Sequence, residues 1–325
     1  MGAIFKHKAF EPGAIAVLVA FALFVAPAIF GAFWITNLTQ MAVFAVVAAS
    51  AGMLYGRVGL VSLGQVAPYG IGCWVTMRLA YATSLPFPVL LLIGGLVAAV
   101  IGVLIGLPAL RVSGLYLALV TLMLAAAIET ALGVLKFPNG GGGFKGVVTS
   151  LSDLAPMRRP GFAESDPAYF RFSVIIALLL FLLAYAFLAG KPGRAWASIR
   201  QSEPSAIAAG IAITQYKLIA FALAAFMAGV AGGLFAGSVQ QSIGIDQFSR
   251  QAALFLIAVA LMGGVHSLWG AVLAAFFSKV MLDLLTTYMV GGQFWNDFSL
   301  SLFGFGLMMN LIQSTKAMEK KGLLG

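Results

Sequence analysis

Long apolar segments follow one another through almost the whole chain, and several have the length that crosses a lipid bilayer. A membrane-spanning helix needs about 20 apolar residues, and the run from about residue 14 to 35 has 22. Charged residues occupy only 9% of the 325 positions, whereas apolar residues occupy 62%. So little charge cannot coat a water-soluble protein of this size. The composition therefore excludes a soluble enzyme, a disordered chain and a nucleic-acid-binding module, and it predicts an all-α polytopic membrane protein.

The apolar runs predict about ten transmembrane helices in one domain that covers residues 1–325. The first run follows the basic segment 6–8 and is longer than the 7–15 apolar residues of a signal peptide, so we expect it to be retained. The runs lie at about 14–35, 39–56, 61–82, 88–108, 113–135, 172–190, 218–239, 251–264, 268–290 and 296–313.

Some of these runs are interrupted by residues that break helices. Three glycines and one proline lie between residues 62 and 72, and the stretch 251–290 is divided at Gly263-Gly264. Irregular backbone at membrane depth is tolerated where it is buried in protein or lines a water-filled cavity, and interrupted spans are typical of a transport pathway. Glycines also permit close helix packing. We favour packing for Gly94-Gly95 and Gly232-Gly233, whereas both explanations stay open for 62–72.

The distribution of basic residues predicts the orientation in the membrane. Ten spans place both termini on the same side. If that side is the cytoplasm, the inner segments hold eleven lysines and arginines and the outer segments hold seven, of which five lie in or beside the long loop 136–171. Because basic residues are enriched in short cytoplasmic loops, we expect both termini in the cytoplasm and the loop 136–171 outside.

The chain contains no cluster of residues that suggests covalent or metal chemistry. With one cysteine, Cys73, and two histidines, His7 and His266, we expect no metal site and no catalytic residue. The glycine run 140–143 is close to Lys145, but a phosphate-binding loop needs a serine or threonine directly after its lysine and a strand before the loop. We interpret the run as a flexible surface loop, and we expect that this chain is not an enzyme and binds no cofactor itself.

The predicted cytoplasmic loop 191–217 contains a short helix. Glu203, Ala206 and Gly210 fall at positions i, i+3 and i+7, which lie on one face of a helix. Ser202 is a favourable N-cap, and the glutamate and proline that follow it suit a first helical turn. An ordinary amphipathic helix at the membrane surface, rich in alanine, has the same pattern.

Several segments, in order along the chain, resemble the LivM type of branched-chain amino acid permease from ABC importers, in the LivH/LivM family. The loop 191–217 resembles the EAA loop, through which such permeases dock onto their ATPase subunits. Further matching segments lie at 59–72, 110–122, 193–200, 216–221 and 263–270. The resemblance implies the ABC importer permease fold. It also implies an ATPase-coupling role for Arg194, Arg200, Glu203, Ala206 and Gly210.

The resemblance further implies a function and a set of partners. The chain would be the permease subunit that moves branched-chain amino acids across the bacterial inner membrane, with ATP used by two partner ATP-binding subunits. A second, LivH-like permease and a periplasmic solute-binding protein would complete the assembly. Gln65 replaces a histidine that is frequent in the family, and Glu129 lies about one turn beyond the family's acidic residue. A permease for urea, short amides or other small solutes, and a stand-alone secondary transporter or channel, therefore stay as alternatives.

Polar residues within the spans are the remaining candidates, because ionisable groups in a membrane are costly and often functional. Lys279 and Asp283 are four residues apart and share a helix face, so we interpret them as an intramembrane ion pair, with a gate as the alternative. Glu129 either meets the ammonium of an amino acid, pairs with Lys136 or Arg78, or lies among lipid headgroups. Candidates for the substrate pathway are Ser62, Gln65, Tyr69, Thr121 and Glu129.

Overall fold

The computed structural model describes residues 19–110, 112, 114–135, 159–239, 243, 245–263 and 268–281. All regular structure within these residues is helical, which agrees with the predicted all-α fold. Among them, five helices are long and apolar enough to cross a membrane: Ala32–Val58, Phe87–Pro108, Tyr116–Leu135, Asp166–Ala189 and Ile213–Val239. The predicted total of about ten spans includes ranges outside the described residues and stays a prediction.

The helices are labelled in chain order. They are α1 (Ala32–Met53, continued by a π-helical turn, Leu54–Val58), α2 (Val66–Ala82), α3 (Phe87–Ala109), α4 (Leu115–Leu135), α5 (Asp166–Ala189), α6 (Lys191–Gln201), α7 (Glu203–Ala208), α8 (Ile213–Val239), α9 (Arg250–Met262) and α10 (Leu268–Ala275, continued by a π-helical turn, Phe276–Met281). The helical segments Phe21–Val25 and Ala26–Ile29 precede α1, and the 3-10 turns Gly161–Ala163 and Ile245–Phe248 precede α5 and α9.

Helices α2, α3 and α8 form the centre of the molecule because glycines let their backbones approach closely. A Cβ atom on Gly72 of α2 would overlap the carbonyl oxygen of Gly229 on α8, and one on Gly232 would lie 2.8 Å from the backbone nitrogen of Cys73. On α3, a Cβ on Gly95 would lie 2.5 Å from a side chain of α8. The close packing predicted for the Gly-Gly pairs of α3 and α8 is confirmed.

The helix ends form two sets, one at each end of the bundle. α3 and α8 are antiparallel, because Gly237 lies beside Phe87 and Gly106 lies beside Phe221. The helices α6 and α7 connect the end of α5 to the start of α8, and Arg200 of α6 donates a hydrogen bond to a backbone carbonyl at the end of α1. We call this end of the bundle, where α1, α3 and α5 finish, the loop end. The opposite end contains the last residues of α2, α4 and α8.

The border between the first two predicted spans lies elsewhere in the structure. The apolar runs put it at residues 36–38, but the helix is interrupted at Phe30 and Gly31, where the backbone is extended. Asn37, inside the predicted border, and Thr39, directly after it, both lie inside α1. The Thr39 hydroxyl donates a hydrogen bond of 2.8 Å to a carbonyl one turn earlier. A hydroxyl that is satisfied in this way is compatible with a continuous helix.

Candidate functional site

The backbone between α1 and α2 is irregular over residues 59–65. Gly59 ends the π-helical turn in a left-handed conformation (φ +81°) that side chains disfavour, and α2 starts only at Val66. The Leu63 amide donates a hydrogen bond of 3.0 Å to the Thr121 hydroxyl of α4. The interruption predicted for residues 62–72 is therefore present at 62–65 but wrong for 66–72, because Pro68, Gly70 and Gly72 lie inside α2. A neighbouring helix provides a partner for the irregular backbone, as such structure at membrane depth requires.

Four of the predicted pathway residues meet at this irregular segment. Ser62, Gln65, Tyr69 and Thr121 are all buried. Ser62 accepts a hydrogen bond from the Gly64 amide at 3.4 Å. The Ser50 hydroxyl of α1 donates to the Gln65 side-chain carbonyl at 3.5 Å. These polar groups thus stabilise the irregular backbone, and their contact with a solute stays a prediction.

A cavity of about 270 Å³ lies beside the segment, and Tyr69 is part of its wall. Residues of α1, α2, α8, α9 and α10 surround it. The Tyr69 ring packs 5.7 Å from Phe235, which is another wall residue. The ammonium of Lys279 lies 5.5 Å from the centre of the Phe44 ring, a distance typical of cation–π contact. Asp283, the predicted ion-pair partner of Lys279, lies outside the described residues, so that pair stays a prediction.

Glu129 lies two turns beyond Thr121 on α4, beside a second and more open cavity of about 510 Å³. Its carboxylate is 3.7 Å from the guanidinium of Arg250 at the start of α9. Of the two partners considered from the sequence, Arg78 donates a hydrogen bond of 3.1 Å to the last carbonyl of α4, and Lys136 lies outside the described residues. Among the described residues, the cation beside Glu129 is Arg250, which was not predicted from the sequence.

At the loop end, α6 is fixed to the spans by its buried face. Trp196 is fully buried, and its indole N–H donates a hydrogen bond of 2.7 Å to the Tyr216 carbonyl at the start of α8. A Cβ on Gly193 would overlap the Leu188 carbonyl at the end of α5, so only glycine fits this junction.

Helix α7 begins as the sequence predicted. Ser202 is its N-cap, and the hydroxyl accepts a hydrogen bond of 3.4 Å from the Ser205 amide. Glu203 forms an ion pair of 2.6 Å with Lys217 of α8. Ala206 is buried. Together with Arg200, which binds the end of α1, these residues attach the loop to α1 and α8.

The expectation that Gly210 continues the helical face of Glu203 and Ala206 is wrong. Helix α7 ends at Ala208, and Gly210 follows in a left-handed conformation with φ +76°. The Gly210 amide donates to the Ile207 carbonyl at 2.9 Å, and the next amide donates to the Ala206 carbonyl at 3.0 Å. This is the Schellman arrangement, which terminates a helix and favours glycine. Gly210 therefore fixes where α7 ends.

The exposed surface of α7 contains an apolar side chain that the sequence analysis missed. Ile207 is 63% exposed, although its neighbour Ala206 is buried. Pro204, Ser205 and Ala208 are also exposed. Arg194 of α6 is exposed as well. The signal in the sequence was Ile207 itself, an apolar residue in a predicted cytoplasmic loop, which lies about 100° around the helix from Ala206.

Arg159, at the opposite end of the bundle, was also missed. Its guanidinium donates hydrogen bonds to the carbonyls of Gly237 at 2.8 Å and Ser238 at 3.2 Å, which lie in the last turn of α8. It also forms an ion pair of 2.6 Å with Asp166 at the start of α5 and lies 4.5 Å from the Tyr169 ring. A cation at a helix C-terminus satisfies free carbonyls and favours the helix dipole. Arg159 thus joins α5 to α8.

These features define a class of protein. Long apolar helices, an irregular segment buried among them, a cavity beside that segment and a structured loop at one end are typical of a multi-pass membrane permease. The family model described as the permease component of branched-chain amino acid transport systems matches residues 33–312. The chain belongs to this family.

The chain is similar to permease proteins of more than one transport system. The chain is 28% identical to the high-affinity branched-chain amino acid transport system permease protein LivM of Salmonella typhimurium and to that of Escherichia coli, over 95% of this chain and 73% of each relative. It is 29% identical to the autoinducer 2 import system permease protein LsrC of Photorhabdus luminescens, over 78% of this chain and 72% of that relative. No solved structure matches the chain.

Proposed function

We propose that this chain is the translocation subunit of a bacterial ABC importer and that branched-chain amino acids are its solutes. Membership of the permease family supports transport, and the similarity to LivM over 95% of the chain favours the solute. The observation that carries the coupling part of the proposal is the geometry of α7. This short helix is anchored by its buried face and exposes Ile207 at the loop end of the bundle.

The anchoring of α7 explains how a partner could act on the spans. The ion pair between Glu203 and Lys217 links α7 to α8, and the Arg200 side chain links α6 to α1. Both α1 and α8 contribute to the wall of the 270 Å³ cavity. A partner that displaces α7 would therefore move α1 and α8 together and change that cavity, because packed helices transmit displacement as rigid bodies.

The orientation and the partners follow from the same proposal. The loop end faces the cytoplasm of the cell, both termini lie on that side, and the chain is embedded in the inner membrane. One of two ATP-binding subunits docks at α7, and these subunits use the ATP, so this chain binds no cofactor. A second permease forms the other half of the pathway, and a periplasmic binding protein delivers the solute. The excess of basic residues in the proposed inner segments, eleven against seven, supports this orientation.

A second candidate solute comes from another transport system named among the relatives. LsrC proteins are named as permeases for autoinducer 2 import, and their identity to this chain is as high as that of LivM. The cavity wall favours the amino acid assignment, since Phe44, Phe235 and Phe255 provide an apolar surface that suits an aliphatic side chain. The same apolar wall makes urea and short amides less favoured as solutes. The EAA-like loop makes transport without an ATPase less favoured.

Co-purification tests the docking role of α7. We expect Ile207→Asp to release the ATP-binding subunits from the membrane complex, because a charge would be buried without a partner at the interface. Phe162→Asp is the matched control, since Phe162 is 67% exposed at the opposite end of the bundle. Retention of the ATP-binding subunits by Ile207→Asp, at the level of the control, would remove α7 from the interface.

A further inference from the structure

The junction between α5 and α6 contains two cations that have no acidic neighbour. Helix α6 follows α5 directly after Gly190, and its first four residues include Lys191 and Arg194, which are both exposed. Residues 167–202 contain no aspartate or glutamate. Within the described part of the chain, the ion pairs use other cations, namely those of Arg159, Lys217 and Arg250. The junction is therefore a positively charged surface that attracts anions.

This charged surface faces the same side of the molecule as the exposed apolar face of α5. Lys191 and Arg200 are nine positions apart, which is two and a half helical turns, so they lie on opposite flanks of α6. Because Arg200 binds the end of α1, the flank with Lys191 faces away from α1. Helix α5 packs against α1 with its buried face, so its exposed residues Leu179 and Leu182 face away from α1 as well.

The position of the two cations along the chain corresponds to the border between lipid tails and headgroups. Leu182 lies seven residues before the end of α5 and is 62% exposed, and Tyr185 has the same exposed fraction. Tyrosine is enriched at the level of the headgroups. Lys191 follows Tyr185 by six residues, or about 9 Å of helix, and long basic side chains at the end of a span extend to that level. The charged surface thus continues a surface that faces lipid.

We propose that Lys191 and Arg194 together bind the phosphate of an anionic phospholipid whose tails lie against α5. Helical residues three positions apart are neighbours, so the ammonium and the guanidinium both donate charge-assisted hydrogen bonds to one phosphate group. The family resemblance instead implies an ATP-binding subunit as the partner of Arg194. Arg194 lies seven residues, about 10 Å, before the end of α6, and this separation from α7 favours the lipid.

Quenching of a fluorophore by brominated lipids tests the proposal in the full chain, reconstituted without partner subunits. Cys73→Ala removes the natural thiol, and Leu182→Cys carries a bimane group on the exposed face of α5. The bilayers are phosphatidylcholine with increasing fractions of brominated phosphatidylglycerol, which is anionic, or of brominated phosphatidylcholine, which has no net charge. We expect the site to prefer phosphatidylglycerol at least about fivefold, since each basic residue at an anionic surface contributes a factor of about five.

Changes at the two cations decide their role. Lys191→Gln combined with Arg194→Gln should bring the preference close to one, whereas Lys191→Arg combined with Arg194→Lys should keep it. Arg250→Gln removes a charge from the opposite end of the bundle, where Arg250 is 67% exposed, and should leave the preference unchanged. Equal binding of the two lipids by the unmodified chain, no quenching by either lipid, or a preference that survives in the double glutamine variant would overturn the proposal.

Co-purification separates a lipid from a protein as the partner of Arg194. In the assembled importer, Arg194→Gln should retain the ATP-binding subunits, in contrast to Ile207→Asp. Loss of these subunits from Arg194→Gln, to the extent expected for Ile207→Asp, would assign Arg194 to the ATPase interface and overturn the lipid site. The lipid preference is measured on the chain without an ATPase or a solute, so it can fail or hold independently of the proposed function.

Discussion

Replacing Gly72 with alanine is expected to force apart the centre of the bundle. The new Cβ would lie 2.5 Å from the carbonyl carbon of Gly229 and would overlap its oxygen. Carbon atoms in favourable contact are about 3.5–4.0 Å apart, so α2 and α8 must separate by about 1 Å. The obstacle is backbone on both sides, and no side-chain rotation can relieve it.

The size of the effect follows from the contacts that the separation weakens. A gap of about 0.5–1 Å loses a quarter to a half of the dispersion energy across an interface, and overpacking of a core costs about 1–3 kcal/mol. Since the backbone of α8 cannot move aside easily, we expect Gly72→Ala to lower the free energy of unfolding by about 3 kcal/mol, at the upper end of this range. Gly31→Ala is the matched control, because nothing lies within 4 Å of its Cβ position and its φ of −68° suits alanine.

The chain contains its own probe for this measurement. Cys73 is the single cysteine, is fully buried and follows Gly72 directly. Its reaction with a fluorogenic maleimide during heating reports when α2 and α8 separate. At about 2–4 °C per kcal/mol, the labelling midpoint of Gly72→Ala should fall by on the order of 6–12 °C. A midpoint equal to those of the unmodified chain and Gly31→Ala would refute the close packing of α2 on α8.

Three further predictions concern the loop end and the topology. Glu203→Gln should lower the Cys73 labelling midpoint by the equivalent of about 1–2 kcal/mol, because the side chain of Lys217 is only 11% exposed and would lose its charged partner. The double variant with Lys217→Met should recover most of this loss. Equal midpoints in the single and double variants would contradict the pairing. Gly210→Ala should lower the free energy of unfolding of α7 by about 1 kcal/mol, since alanine disfavours the Gly210 φ of +76°. Amide hydrogen exchange in α7 should therefore become faster. Unchanged exchange would argue against the Schellman termination. Cysteines at Phe162 and Ala208, both exposed, should react with an impermeant reagent from opposite sides of the membrane, and labelling of both in intact cells would contradict the orientation.

The sequence predicted the parts of the fold that depend on local patterns. The Ser202 N-cap of α7 was correct because capping depends on residues three positions apart. The interruption near Ser62 was predicted correctly but its extent was not, because Pro68 lies in the first turn of α2, where proline is tolerated, and Gly72 lies within that helix and packs against α8. The close packing of the glycine pairs on α3 and α8 was also predicted correctly, since small residues have few other uses inside apolar helices.

Contacts between residues that are far apart in the sequence could not be predicted from these local patterns. The contact between Arg159 and Gly237 joins residues 78 positions apart, and the partner of Glu129, Arg250, lies on a different helix. The end of α7 was misjudged for another reason. The pattern of Glu203, Ala206 and Gly210 fits a continuing helix, but the glycine has access to the left-handed conformation, and the resulting hydrogen bonds end the helix there.

Uptake of labelled L-leucine into proteoliposomes tests the central claim most directly. The vesicles contain this chain with the second permease, the ATP-binding subunits and the solute-binding protein, and matched vesicles contain this chain alone. We expect uptake only in the complete assembly, only with ATP, and not in the Ile207→Asp variant, because α7 would no longer dock. ATP-independent uptake by this chain alone, or full ATP-driven uptake with Ile207→Asp, would contradict the account.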